Sequence, residues 1–273
     1  MPRRPGSSGS AAGPEREAFR LGLRPSLNAR WLEHSARRTA APRTLEGVIL
    51  GIDTSLGTAV AVVEADGVVR SEASSDNPLG HAEAIGTLLQ TALADAARGP
   101  IGQTSAAEPV TLTHVAAGMG PGPFTGLRVG IAAARAFALA RDLPVVAVPS
   151  HDAAALAVIL GAALADPFGD DERFAIVTDA RRREFAYSIY DGIDDDGIPL
   201  RVEGPALVPR DAIDAVLADH GARRHDVTAI SAAMIGALAA RAVAAGRTLT
   251  GPEPLYLRAP DVTLPAGPKR VSA

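Results

Sequence analysis

Residues Gly118 to Gly130 read GMGPGPFTGLRVG, five glycines and two prolines set between an apolar VAA and an alanine-rich segment. That is the pattern of a strand turning tightly into a helix. Glycines let backbone N–H groups approach an anion, and the positive end of a helix favours one. The regular phosphate motifs are nevertheless absent. No Gly-Lys-Ser/Thr follows as a Walker A loop requires, and Pro123 stands where G-x-G-x-x-G needs its third glycine. Each proline also removes a donor. A phosphate loop and a tight strand-to-helix turn both fit, and the residues favour the turn. They predict a helix over roughly Phe124 to Arg141, capped by Thr125 or a neighbour.

On the N-terminal side, VILGIDTSLGTAVAVVEADGVVRSEAS starts at Val48 and holds three apolar, β-branched runs broken at Ser55-Leu56-Gly57 and Asp66-Gly67. This predicts a three-stranded antiparallel meander. HAEAIGTLLQTALADAA, from His81, then places Ile85, Leu88, Leu89, Ala92, Leu93 and Ala96 on one helical face. After the opening loop and its helix comes PVVAVPS, a buried strand closed by Pro149. Strand, helix, strand is a crossover and implies parallel pairing.

The scheme then repeats. A helix from Asp152 to Ala165, a strand FAIVTDA, a partner EFAYSIYDG, a turn-rich DDDG and a strand around ALVP precede helices at Arg210 to Asp219 and Ala229 to Ala245. Two halves, each opening with an apolar strand that ends in Asp (ILGID, FAIVTD), predict a duplicated α/β fold. The lobes are assigned to residues 47–150 and 151–273, and residues 1–46 to a disordered basic extension. That extension is rich in Pro, Gly, Ser, Ala and Arg and cannot offset the entropy of ordering.

The chain has 273 residues, no cysteine and a net charge of −4. Without cysteine there is no disulfide framework, thiolate zinc site or catalytic thiol. Met1 to Gly47 holds nine Arg against four Glu, a balance of +5, which leaves −9 for the rest. An acidic body argues against a self-sufficient nucleic-acid binder. The longest apolar run, Ala153 to Ala165, is shorter than the ~20 residues a membrane helix needs, and reads as a buried helix. The Met1 end has no apolar signal core. A cytoplasmic protein with no membrane contact is expected.

Several constellations carry chemistry or imitate it. Asp53-Thr54-Ser55 at a strand end resembles the nucleotide-phosphate hairpin of actin-like and sugar-kinase-like folds, and equally an ordinary hydrogen-bonded turn. His81 is followed at i+4 by Ile85, so a helical zinc pair is absent and no metal site is expected. Ser150-His151-Asp152 has the residue types of a catalytic triad, but sequence neighbours point in different directions. They read as a helix N-cap with an acidic first turn. DGIDDDGIPLRVE fails as a calcium loop at position one, Gly192, and reads as a solvated turn.

In order, ILGIDTS, His81 at a helix start, GMGPGPFTGLRVG, VTDARRREFAYSIY and PLYLRAPDV resemble the TsaB (YeaZ) family over about Val48 to Val262. This family is the bacterial partner of the catalytic TsaD subunit in tRNA threonylcarbamoyladenosine synthesis. The resemblance implies an actin-like ATPase (ASKHA) superfamily fold of two duplicated lobes. The short HGARRHDVT between Asp219 and Ala229 marks the second lobe as abbreviated. It also implies a non-catalytic, dimerising subunit that stabilises a TsaD-like enzyme modifying the adenosine beside the anticodon of ANN-decoding tRNAs.

Further implied are a TsaE-like ATPase in the complex, tRNA met through the complex, a homodimer when the protein is alone, and no cofactor of its own. ATP or ADP is expected at the partner interface, with Asp53, Thr54, Ser55, Gly120 and Gly122 as its contacts. The partner surface implied is the pair of first-lobe helices, with Ile85, Leu88, Leu89, Val129, Ala133 and Phe137 as candidates. Two alternatives are an actin-like-fold ATPase or kinase using Asp53 for Mg²⁺ or water, and a glycoprotease-like metallopeptidase.

Overall fold

The computed structural model describes residues 47–77, 80–101, 110–167 and 172–258. The basic extension, residues 1–46, lies outside them, as does the end of the chain beyond Arg258.

Strands β1 (Val48–Asp53), β2 (Thr58–Glu64) and β3 (Val69–Ser75) form the meander. The chain turns at Asp66-Gly67, where Gly67 N–H donates to Glu64 O at 2.9 Å. Helix α1 (His81–Ala96) leads to β4 (Leu112–Gly118), helix α2 (Phe124–Arg141) to β5 (Val145–Val148), and helix α3 (Ser150–Ala165) to the second half. The first sheet has the order β3-β2-β1-β4-β5, with β4 and β5 parallel to β1. In the second half, β6 (Phe174–Asp179), β7 (Glu184–Ile193) and β8 (Pro199–Pro209) make another meander. Helix α4 (Ile213–Asp219), strand β9 (Arg223–Asp226) and helix α5 (Ala232–Ala245) follow. The second sheet runs β8-β7-β6-β9, the order of the first with one strand fewer.

The duplication is therefore real, and the second lobe is abbreviated, though not where the sequence placed the loss. HGARRHDVT contains β9, parallel to β6 from Phe174 to Val177. Its four residues, RRHD, have no apolar period to betray them. Arg224 pairs with Asp214 and Asp226, and the His225 ring meets the edge of Phe174 at 5.6 Å. What is missing among the described residues is a strand beyond β9, the counterpart of β5.

Five layers result. Leu50, Ile52, Val60 and Val62 face α1 and α2, while Ile49, Ala61 and Val63 face α3 and α5 on the other side. Strands covered on both faces read as continuous apolar runs rather than alternating ones. The second sheet packs Ile176 and Tyr190 onto the same central helices and turns Val177, Ile189 and Val208 toward α4. Each fully buried Ile or Val here contributes about 1.5–3 kcal/mol. Helix α3 departs from the expectation of full burial. Ala153 to Leu156 and Ile159 are buried, but the C-terminal half runs into solvent and Leu164 is 85% exposed.

Neither N-cap expectation holds. Pro123 and Pro149 occupy the cap positions of α2 and α3, with no side-chain cap bond. Their extended conformation sets the helix start, and the hydroxyl of Ser150 is used elsewhere. Ser150 Oγ donates to Asp53 Oδ2 at 2.5 Å and accepts from Gly120 N–H at 3.0 Å. His151 reaches Ser188 Oγ through Nδ1 at 2.9 Å and Thr178 Oγ1 through Nε2 at 3.0 Å. Asp152 accepts from the Tyr190 hydroxyl at 2.8 Å, with Arg201 Nε at 3.6 Å. Three successive side chains thus tie the end of β1 to β6 and β7, across the two lobes.

Burial, aided by the charge of Arg201, lowers the His151 pKa to about 3, so the ring is neutral. Burial pushes the Asp152 carboxyl up, against Arg201 and the Tyr190 hydrogen bond, which pull it down. A histidine whose folded pKa lies below its unfolded value of about 6.5 contributes stability that is complete above that value. The contribution is lost as the pH falls toward 3. Asp152 and Asp53, both raised, act with the opposite sign, so a variant is needed to isolate the histidine. Relative to His151→Asn, the wild type should lose stability between pH 6.5 and 3 with an extra slope of up to about 1.4 kcal/mol per pH unit. Denaturant midpoints at half-unit pH steps measure it, and parallel curves for the two proteins would refute the buried neutral imidazole.

Candidate functional site

At the end of β1 the two glycine-bearing motifs close on each other. Asp53 Oδ1 accepts from the N–H of Ser55 at 2.8 Å and from its hydroxyl at 2.5 Å, while Oδ2 is taken by Ser150. Burial pushes the Asp53 carboxyl up. Hydrogen bonds from Ser150 and Ser55, and the nearby His81, pull the other way. Thr54 Oγ1 donates to Gly126 O at 2.7 Å, on the first turn of α2. A Cβ at Gly118 would lie 1.9 Å from Asp53 Oδ2, and one at Gly122 would lie 2.8 Å from Ser55 Cα and Cβ. Glycine is required at both by close approach, since nothing larger fits between the Asp53-Thr54-Ser55 turn and the loop above it.

The chemical result is a set of spent donors. Ser55 N–H goes to Asp53 and Gly120 N–H to Ser150. Asp53, Thr54 and Ser55 are 1–2% exposed. His81 is buried at the start of α1, with Nδ1 2.8 Å from Thr58 Oγ1. Among the described residues, no group of three His, Cys, Asp or Glu side chains is arranged to hold a metal ion.

Beside this packed region lies an open cleft of about 450 Å³ between the lobes. The first lobe lines it with Leu56, His81 and Pro121 to Gly126. The second contributes Thr178 to Arg182, and the segment after α5 adds Tyr256 to Arg258. Phe124 is the aromatic floor: its ring lies 4.7 Å from that of Tyr256, with the Arg128 guanidinium 3.8 Å from its centre. On the opposite wall, Arg181 and Arg182, with Arg183 after them, have φ of 61°, 50° and 62° in succession. Left-handed backbone costs residues with side chains roughly 1–2 kcal/mol each, and such strain concentrates at functional sites. Asp179 braces the turn by accepting from Arg181 N–H at 2.8 Å and Arg210 Nη2 at 2.6 Å, contacts that lower its pKa.

Of the five residues expected to touch nucleotide, only Gly122 lines the cleft. Asp53, Thr54, Ser55 and Gly120 lie inside the packed motif. The six expected partner contacts are all half-buried on α1 and α2. Ile85, Leu88, Leu89 and Phe137 pack against the first lobe's own core. Gly126, Val129, Ala133 and Phe137 follow at helical spacing on the flank of α2 that meets α1 at His81. Sequence reasoning missed Arg181, Arg182 and Arg258 as cleft residues. The three-arginine run in DARRRE was visible, but nothing local said that it would form a turn without glycine.

The family model of TsaD, tRNA N6-adenosine threonylcarbamoyltransferase, matches residues 59–198 of this 273-residue chain. An uncharacterized protein of Mycobacterium tuberculosis is 38% identical over 182 residues, spanning 65% of this chain and 73% of the relative. A tRNA N6-adenosine threonylcarbamoyltransferase of Afipia carboxidovorans is 33% identical over 141 residues, 44% of this chain and 37% of that protein. YeaZ from Pseudomonas aeruginosa superposes with a TM-score of 0.56 at 21% identity, covering 77% of this chain and 100% of that one. An uncharacterized protein from the same organism, similar to peptidase YeaZ, gives 0.58 at 23% identity over 78% and 100%. The family model covers half of the chain and the topology matches a solved structure end to end: the chain belongs to the tRNA N6-adenosine threonylcarbamoyltransferase (TsaD) family and carries the actin-like fold in the form seen in YeaZ.

Proposed function

We propose that the chain is the TsaB-type member of this family, a non-catalytic subunit that binds and stabilises a TsaD-like enzyme. The enzyme modifies the adenosine next to the anticodon in ANN-decoding tRNAs. The observation that carries the reading is the sealed motif. An enzyme acting on a phosphate needs free, preorganised donors and a carboxylate open to metal or water. Here Ser55 and Gly120 spend their N–H groups internally and both oxygens of Asp53 are occupied.

The outer face of the first lobe supports a docking role. Among the exposed residues of α1 only Glu83 is charged; the others are alanine, glycine, threonine and glutamine. Depletion of charge marks the centre of a protein interface, and small side chains let helices approach closely. In this reading Val129, Ala133 and Phe137, with the α1 face beside them, meet the partner. The TsaE-like ATPase and tRNA are met through the complex, and any ATP or ADP is shared with the partner at the interface.

The protein should co-purify with the TsaD-like subunit of its own organism, and tRNA modification should require both, with or without residues 1–46. Ala133→Asp should weaken the complex at least about tenfold while the isolated chain still folds, with its melting temperature lower by only a few degrees. No complex at high concentration with all components present would sink the proposal. The competing kinase or ATPase reading gives a separate outcome. The isolated chain should show no ATP turnover, and Asp53→Asn should cost about 1–3 kcal/mol of stability through its broken hydrogen bonds. Turnover abolished by Asp53→Ala would establish the enzyme instead.

A further inference from the structure

After α5 the chain returns to the first lobe as a segment that belongs to neither sheet. Arg135 Nη2 donates to Pro252 O, and Leu255 N–H donates to Met119 O at 2.8 Å. Tyr256 lies against Phe124 and accepts from Arg128 Nε at 3.2 Å. Two residues later the same segment is bound to the second lobe. Arg258 Nη1 donates to Ala180 O at 3.2 Å, and its guanidinium pairs with Glu184. Between these anchors Tyr256, Leu257 and Arg258 wall the interlobe cleft.

The second anchor falls on the left-handed turn. Side-chain-bearing residues visit that backbone region singly, not three in succession, so Arg181 to Arg183 must be held there by their surroundings. Four of the braces come from the second lobe itself: Asp179 accepts from Arg181 N–H, Arg210 N–H donates to Arg183 O at 2.9 Å, Ala180 N–H donates to Glu184 O at 3.1 Å, and Glu184 N–H donates to Arg181 O at 3.0 Å. A further one, from Arg258 to Ala180 and Glu184 at the two ends of the turn, comes from the tail. Ser150, His151 and Asp152, which join the lobes, bond to other residues entirely. The tail can therefore leave without breaking that joint.

We propose that Pro252 to Arg258 is a latch: it walls one side of the interlobe cleft and helps hold the arginine turn in its left-handed form, so that its release widens the cleft and loosens the turn. The latch acts within this chain and does not depend on the proposed role in a transferase complex.

The turn carries its own reporter, because trypsin cleaves after arginine and needs the backbone to open. In native-state digestion of the full chain, followed site by site by mass spectrometry, Arg258→Ala and Tyr256→Ala should each speed cleavage after Arg181 to Arg183 about tenfold. Cleavage after Arg98, exposed at the end of α1, serves as the reference and should not change. Glu184→Gln, which removes the same ion pair from the turn's side, should add little to Arg258→Ala. Should Tyr256→Ala lower the yield of folded protein, the pair Arg258→Gln and Arg258→Lys decides: faster cleavage with Gln and rescue by Lys support the latch. Unchanged cleavage at the turn in the Arg258 variants, or an equal rise at Arg98, overturns it.

Discussion

One turn of helix, Ser150 to Asp152, determines how the two lobes sit. Its three polar side chains are buried, and their partners lie on three strands: Asp53 at the end of β1, Thr178 on β6, and Ser188 and Tyr190 on β7. A buried polar group left without its partner costs about 1–3 kcal/mol. Sliding one lobe against the other would orphan several such groups together, so small displacements are disfavoured although the contacts are few. The apolar layers on either side supply the bulk of the stability, but they are non-directional. The polar turn specifies which of many greasy packings is adopted.

That joint also bears on chemistry. Many enzymes that enclose a ligand between two lobes rely on hinge or shear motion to admit it and exclude water. Here Ser150 links the interlobe joint to Asp53, and Gly120 N–H is drawn into the same chain of hydrogen bonds. A donor cannot serve the joint and a substrate phosphate together. The arrangement spends these groups on holding the joint.

The α/β halves were legible because burial on both faces of β1, β2 and β6 imposes uninterrupted apolar runs, and because Asp66-Gly67 marks a hairpin. Strand β9 was not, since its RRHD has no apolar period and is fixed by pairing with β6, some fifty residues earlier, and by the ion pairs of Arg224 with Asp214 and Asp226. The exposed end of α3 was read as buried because an alanine-rich run is apolar whether or not anything covers it. At the site, Asp53 and the glycines announced close approach but not what approached: the glycines make room for Asp53 and Ser55 rather than for a ligand. Ser150 looked like a cap because a serine before an apolar helix usually is one. Only the fold brings Asp53, ninety-seven residues earlier in the chain, to its hydroxyl.

Helix α2 shows how these constraints combine. One flank packs Leu127, Ile131, Ala134 and Ala138 onto the first sheet. The next, bearing Phe124, Arg128 and Arg135, is touched by the segment after α5 through Tyr256 and Pro252, with both arginines exposed. An exposed flank holds Ala132, Ala136 and Leu139, and the last, bearing Val129, Ala133 and Phe137, turns toward α1. A partner helix docking along that last flank would not meet the latch, so the two proposed contacts use separate faces of one helix. The two are coupled only through the position of α2 itself, which the proline at its start and the glycine loop before it hold against Asp53, Thr54 and Ser55. The stretch from Gly118 to Gly130 thus does structurally what its glycines suggested chemically: it brings backbone into contact with the carboxylate turn, and the ligand it receives there is the protein itself.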